Sequence, residues 1–375
     1  MKVGIVTWFY YDNYGTRLQA MALQNFLLND GYNVELINFE PPEIYTKKRK
    51  NISLPYLLKK ANVFIKKNRY KKDIRQRNKK LNCFLDKLNK TRLITNEDEY
   101  IAICNKFDVI IFGSDQIWNP KVYHEFYYGD YNDIYSIKLA YAPSLGVSEL
   151  NEKETERLKK SLKDFYSIYI REQTGAKIIS KIMSKEIIQV VDPTLLLNSE
   201  EWNKLLKIKH NSKENYILCY FLGDNKNHWK AVKRFSNDKN LKLKIIGYSD
   251  SSFIENKDLI VNVGVDEFVS LIANAKYVIT DSFHGLIFSI IYKKRFVVFE
   301  RFFNNDKESQ NSRLLDLLNI IDCNNKLIIY NSNTIQYNDK YDYKNIYEKL
   351  YKKINESKFY LDRDLKNIKL RRSIK

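Results

Sequence analysis

A chain of 375 residues that is 44% hydrophobic, with only 11 glycines and 6 prolines, is long enough for two α/β domains and is not composed like a disordered protein. Its 64 Lys and Arg against 45 Asp and Glu give a net charge of +19, which favours anionic ligands or surfaces. The four scattered cysteines, Cys83, Cys104, Cys219 and Cys323, and four histidines without ligand spacing signal neither a disulfide framework nor a metal site.

The chain opens with a short β run, Val3 to Thr7, then a polar loop through Asp12, Asn13 and Gly15, then Leu18, Met21, Leu23 and Phe26 at helical spacing. Gly31 stops this helix and Val34 to Phe39 starts a second strand, so the first elements predict a βαβ unit. The glycine pattern is not GxGxxG, which removes the dinucleotide fingerprint. The start has too short an apolar run for a signal peptide, and no stretch reaches the ~20 apolar residues of a membrane span. A cytoplasmic location is the resulting expectation.

Residues 45–105 read as a basic helical insertion. Between Thr46 and Lys80 there are fifteen Lys or Arg and one acid, Asp73, interleaved with Leu54, Leu57, Leu58, Val63, Phe64 and Ile65. Two readings stand: a solvated helical insertion, or a basic amphipathic segment that contacts anionic lipid at the inner membrane face. Base-reading and aromatic stacking signatures are missing, which argues against nucleic acid.

Beyond the insertion, buried strands repeatedly empty into polar turns. Val109 to Phe112 leads to Gly113-Ser114-Asp115-Gln116-Ile117-Trp118, Leu139 to Ala142 to Pro143-Ser144, Tyr166 to Ile170 to Arg171-Glu172, and Ile187 to Val191 to Asp192-Pro193-Thr194. This predicts a doubly wound parallel sheet over residues 1–200. A polar stretch at 203–215 reads as a linker, and a second series over 214–330 predicts another Rossmann-like domain. In it Asp266 reads as a helix cap, and Tyr277-Val278-Ile279 breaks at Thr280-Asp281-Ser282 before a helix that carries His284 near its N-terminus. Amide groups and the helix dipole there attract anions. Residues 331–375 read as a helix near Tyr347 to Ile354, packing back on the first domain, with a loose basic tail after Lys358.

Asp12-Asn13-Tyr14-Gly15, Gly113 to Asn119, Tyr141 to Ser144, Arg171-Glu172, Asp192-Pro193-Thr194, Thr280 to Gly285 and Asn311-Ser312-Arg313 occur in an order and spacing that resembles the polysaccharide pyruvyl transferase family. The resemblance implies a GT-B-like pair of Rossmann-like domains with the site between them, in an enzyme of cell-envelope polysaccharide biosynthesis. It implies transfer of a pyruvyl group from phosphoenolpyruvate to a sugar or polysaccharide-precursor acceptor, closing a ketal and releasing phosphate, without a cofactor or metal. Whether that acceptor is lipid-linked is left open.

It further implies that His284 and Arg171 face the donor, His284 as acid or phosphate contact and Arg171 as a bidentate fork. An ion pair of Arg171 with Glu172 or Asp192 is the plainer alternative. Asp115 and Asp281 are candidate bases because each follows a buried strand, though Asp281 fits a cap equally well. Asp12, Asn13 and Gln116 read as sugar-hydroxyl partners, with Gly15, Ser114 and Ser282 beside them. Trp118 reads as a sugar platform or as core, and Arg301 and Arg313 as phosphate contacts or surface residues. Two further functions share these features: a GT-B glycosyltransferase using a nucleotide sugar, and a non-catalytic sugar-binding protein.

Overall fold

The four residues Val109-Ile110-Ile111-Phe112 contain no polar side chain because both faces of their strand are covered. Val109 and Ile111 join one hydrophobic cluster, and Ile110 and Phe112 another. The same alternation recurs in neighbouring strands, and it produces two parallel sheets. The computed structural model describes residues 1–39, 54–210, 215–303, 309–337 and 341–373. The expectations for residues 45–53 of the insertion, 211–214 of the linker and 374–375 of the tail therefore lie outside the described residues.

In the first sheet β1 (Lys2–Val6), β2 (Asn33–Leu36), β3 (Val109–Phe112), β4 (Ile137–Tyr141), β5 (Phe165–Ile170) and β6 (Ile188–Gln189) are ordered β2-β1-β3-β4-β5-β6. The second contains β7 (Tyr216–Tyr220), β8 (Lys242–Ile246), β9 (Leu259–Ile260), β10 (Tyr277–Thr280), β11 (Arg295–Phe299) and β12 (Leu327–Ile328), ordered β12-β11-β10-β7-β8-β9. Every pairing is parallel, with Val3 opposite Val109 in one sheet and Tyr277 opposite Ile217 in the other. This is the pair of Rossmann-like sheets, in a GT-B-like arrangement, that the sequence predicts. Strand order reverses between β1 and β3, and between β7 and β10, so the loops after these strands open the crevices in which such sheets bind ligands.

One hydrophobic cluster joins the two halves: Val3 and Ile111 of the first sheet, Leu218 and Val278 of the second, and Leu23 and Phe288 of helices between them. Tyr14, at the start of the helix Tyr14–Asn29, stacks on Phe268 and donates to the carbonyl of Val263 across the same boundary.

Three local expectations are corrected. Residues 203–206 close the helix Ser199–Leu206, whose Asn198/Glu201 capping box starts it four residues earlier, instead of opening a linker. The helix Val265–Asn274 is capped by Gly264 and Glu267, whose Oε2 accepts from the Gly264 amide, and Asp266 sits in its first turn. The tail after Lys358 is not loose, because one helix runs Tyr343–Ser373 and buries Leu361, Leu365 and Ile368. This helix straps both halves. Tyr347 donates to the carbonyls of Ile290 and Ile291, whereas Ser357 accepts from the Val191 amide and Arg372 pairs with Asp108.

The basic insertion is also more committed than a solvated one. Its helices Leu54–Asn68 and Lys71–Leu85 lie against the second half, through Lys67–Asp250 (2.6 Å), Lys80–Glu267 (2.6 Å) and Arg77 donating to the Gly247 carbonyl. Among the described residues, no helix is long and apolar enough to cross a membrane.

Candidate active site

Thr280 and Ser282 build the turn after β10 and aim His284 into the space between the sheets. The Ser282 amide donates to Thr280 Oγ1 (3.0 Å), and Ser282 Oγ accepts from the Gly285 amide (3.3 Å) and caps the helix Phe283–Ile291. Asp281 is not the cap. Its oxygens accept the amides of Leu222 (2.7 Å) and Gly223 (2.8 Å), clipping the loop after β7 to the loop after β10. Burial raises the Asp281 carboxyl above its ordinary range, with Arg301 and the amides opposing.

The His284 ring lies close against the start of the first helix. A Cβ on Gly15 would come within 1.9 Å of Nδ1, so only glycine leaves room for the imidazole there. Asn13 caps that helix by accepting from the Gly15 amide (3.0 Å). Nε2 of His284 is buried without a hydrogen-bond partner, 3.6 Å from Asp192 Oδ2.

Asp192, wholly buried, joins the halves. Its Oδ2 accepts from Arg171 Nη1 (2.8 Å), and its Oδ1 from the amide (3.0 Å) and hydroxyl (2.6 Å) of Thr194. Burial alone would raise this carboxyl, but His284, Arg171 and Thr194 reverse the effect and hold it well below the usual carboxylate range. Arg171 is thus an ion-pair partner of Asp192, with Asp115 Oδ1 3.6 Å from Nη2, and it lies behind the pocket wall with the Phe283 ring against its guanidinium. Nη2 and Nε of Arg171 make no hydrogen bond.

Asp115 has φ +66°, a left-handed conformation uncommon outside glycine, which marks a constrained turn. Its Oδ2 accepts from Thr16 Oγ1 (2.7 Å) and Oδ1 from the Gln116 amide (2.9 Å).

These groups surround a pocket of about 500 Å³ including its open mouth. Asn13, Asp115 and Gln116 reach it from the first half, and Asp281, Ser282, His284, Arg301 and Arg313 from the second. The arginines define its charge. Arg301 Nη2 (2.8 Å) and Arg313 Nη2 (2.7 Å) both donate to one neutral oxygen, Oε1 of Gln310, and neither meets a carboxylate at ion-pair distance among the described residues. Burial, followed by the charges of Arg171 and Arg301, pushes Arg313 down to about 9. Burial also lowers Arg301, against the pull of Asp281. The lining thus holds two carboxylates, Asp115 and Asp281, and two arginines that are not paired with them at ion-pair distance.

The other sequence-predicted residues fall elsewhere. Asp12 is exposed and off the pocket lining. Ser114 is buried, with its hydroxyl 3.4 Å from Asp192 Oδ2. Trp118 is 0% exposed, donates Nε1 to the Tyr127 carbonyl (3.0 Å) and packs on Tyr128 and Phe165, so it is core and no sugar can stack on it. Gln310, which sequence reasoning missed, lies just before the helix Ser312–Ile320 and next to the Asn311-Ser312-Arg313 motif, which was the available pointer.

Among solved structures, the chain is similar to UDP-GlcNAc 2-epimerase from Methanocaldococcus jannaschii (10% identity over 95% of this chain and 93% of that one, TM-score 0.49). It is also similar to S. aureus MnaA in its UDP co-structure (11%, 95% and 91%, TM-score 0.48) and to E. coli heptosyltransferase WaaC with ADP (10%, 97% and 100%, TM-score 0.43). No curated protein matches. The sequence model described as polysaccharide pyruvyl transferase matches residues 13–301, from the Asn13 cap to the Arg301 pocket contact, and the chain belongs to that family.

Proposed function

We propose that the cleft binds phosphoenolpyruvate and transfers its pyruvyl unit to two hydroxyls of a sugar. The observation that carries this reading is the pair Arg301 and Arg313, pocket arginines that share one neutral amide oxygen and meet no carboxylate at ion-pair distance among the described residues. A donor bearing both carboxylate and phosphate supplies anions to these arginines, and charge-assisted bidentate contacts are the strong ones in a desolvated site.

The chemistry proceeds in balanced steps. A proton adds to the methylene carbon of the enol, and positive charge develops on the neighbouring carbon. One sugar hydroxyl adds there and loses its proton to a base; phosphate departs with the electron pair of the C–O bond; the second hydroxyl adds to the same carbon, its proton passing to the departing phosphate, and closes the ketal. The reading requires no cofactor, since the donor is itself a substrate.

His284 Nε2, which makes no hydrogen bond, faces Asp192 Oδ2 at 3.6 Å and sits at a helix N-terminus; it is suited to deliver the proton or to donate to the phosphate. Asp115 and Asp281 are both candidates for the base: each lines the pocket, and each accepts one hydrogen bond at either oxygen, Asp115 from Thr16 and the Gln116 amide and Asp281 from the amides of Leu222 and Gly223. Arg171 acts through its neighbours by holding Asp192 and lying beside Asp115.

Thermal unfolding with phosphoenolpyruvate, and separately with nucleotide sugars, tests this. Phosphoenolpyruvate at a hundredfold excess over Kd stabilises by ~2.7 kcal/mol, and Arg313→Gln should remove most of the shift. With an acceptor sugar, the product gains the mass of pyruvic acid less water. A shift with a nucleotide sugar and none with phosphoenolpyruvate would replace this reading with glycosyl transfer.

A further inference from the structure

The helix Leu54–Asn68 is held on the protein by one face and leaves the wrong residues on the other. Val63 is buried, Lys67 pairs with Asp250, and Tyr70, just past the helix, packs its ring edge-on against Phe253. On a 3.6-residue turn, Leu58, Ala61 and Ile65 fall opposite Val63, with Phe64 beside them. Leu58 is 64%, Phe64 73% and Ile65 62% exposed. A helix stabilised only by packing would carry polar residues there. Cations surround this stripe. From Leu54 to Lys80 the chain has eleven Lys or Arg and one acid, Asp73, and the exposed Arg69, Lys71, Lys72, Arg75 and Lys79 form no ion pair among the described residues. The supporting contacts, at Gly247 and Asp250, follow β8 at the same carboxyl rim of the second sheet that carries Asp281 and His284.

We propose that this surface docks on an anionic lipid bilayer, with Leu58, Phe64 and Ile65 entering the headgroup–acyl boundary and the flanking cations meeting lipid phosphates. Charge decides the occupant: a second copy would bring the same basic surface against itself, whereas an anionic membrane complements it. The inference is independent of the proposed reaction, since it concerns neither donor nor pocket.

Flotation of the full chain with vesicles of phosphatidylcholine alone, and with about 30% phosphatidylglycerol added, tests it. The expected result is binding to the anionic vesicles only, weakened by salt. Phe64→Ser/Ile65→Ser should reduce partitioning at least ~10-fold, and Lys72→Glu/Lys79→Glu should reduce it as well. Both variants should keep the native circular dichroism and the stabilisation by phosphoenolpyruvate, because neither pair lines the pocket. Three results would overturn the proposal: no partitioning into anionic vesicles, partitioning that the serine variant leaves intact, or a dimer in sedimentation that the serine variant dissolves without any vesicle binding.

Discussion

Replacing Gly15 by alanine adds one methyl group, and the structure places it against His284, proposed to deliver the proton or to donate to the phosphate. The new Cβ would lie 1.9 Å from Nδ1 and 2.3 Å from Cγ of His284, where ordinary contact begins near 3.4 Å. The ring must therefore retreat by about 1.5 Å, because the helix bearing Gly15 is buried and cannot shift. Gly15 has ordinary helical backbone, so alanine also gains up to ~1 kcal/mol of helix propensity, against ~1–3 kcal/mol for overpacking. Stability should fall only slightly. Activity should fall about 100-fold, the usual result of misplacing a reacting group by an ångström or more. The assay is a double-mutant cycle of Gly15→Ala with His284→Ala, read by phosphate release from phosphoenolpyruvate and by thermal midpoint. In the His284→Ala background the methyl meets no ring, so the stability cost should vanish, giving a coupling of about 1–3 kcal/mol. Full activity of Gly15→Ala, or additive midpoints in the cycle, would refute the assigned position of His284.

Asp192→Asn leaves the buried Arg171 guanidinium with only the more distant Asp115, 3.6 Å away, and should destabilise by up to ~3 kcal/mol at neutral pH. The folded-state pKa of Asp192 is depressed, so its contribution is present above the unfolded value near 4 and is lost as pH falls below it. Thermal midpoints measured downward from about pH 5 should therefore converge for the two proteins, and parallel acid limbs would remove Asp192 from the account. Trp118→Phe loses a buried hydrogen bond and some volume; it should cost about 1–3 kcal/mol of stability while leaving the KM for acceptor unchanged. A raised acceptor KM at unchanged stability would return Trp118 to the sugar site.

Strands and their polar exits were legible because a parallel sheet covered on both faces forces runs such as Val109 to Phe112, and ligand loops must follow them. Side-chain direction was less legible. Nothing in Gly113 to Asn119 tells that Asp115 faces the pocket while Trp118 turns to Tyr127, since a left-handed residue at Asp115 breaks the alternation. Arg171 follows a strand as a ligand contact would, yet Asp192, 21 residues on, claims it. The helix end was misjudged for a different reason: its apolar stripe is interrupted at Ser357, wholly buried and bonded to the Val191 amide, so the period fails at Ile354 although the buried face continues to Ile368. The outward face of Leu54–Asn68 could not be read at all, because spacing gives a stripe but not which side of the helix meets the protein.

The strap Tyr343–Ser373 bears on how such enzymes can be recombined. The second sheet ends at β12, but the chain then returns to cover the first, with Ser357 on Val191 and Arg372 on Asp108. A chimera that takes its carboxyl-terminal half from a relative imports part of the other half's surface as well. Exchanges made to alter acceptor choice should therefore cut at two places, after β6 and before Tyr343, so that each half keeps the helix face with which its own residues are matched.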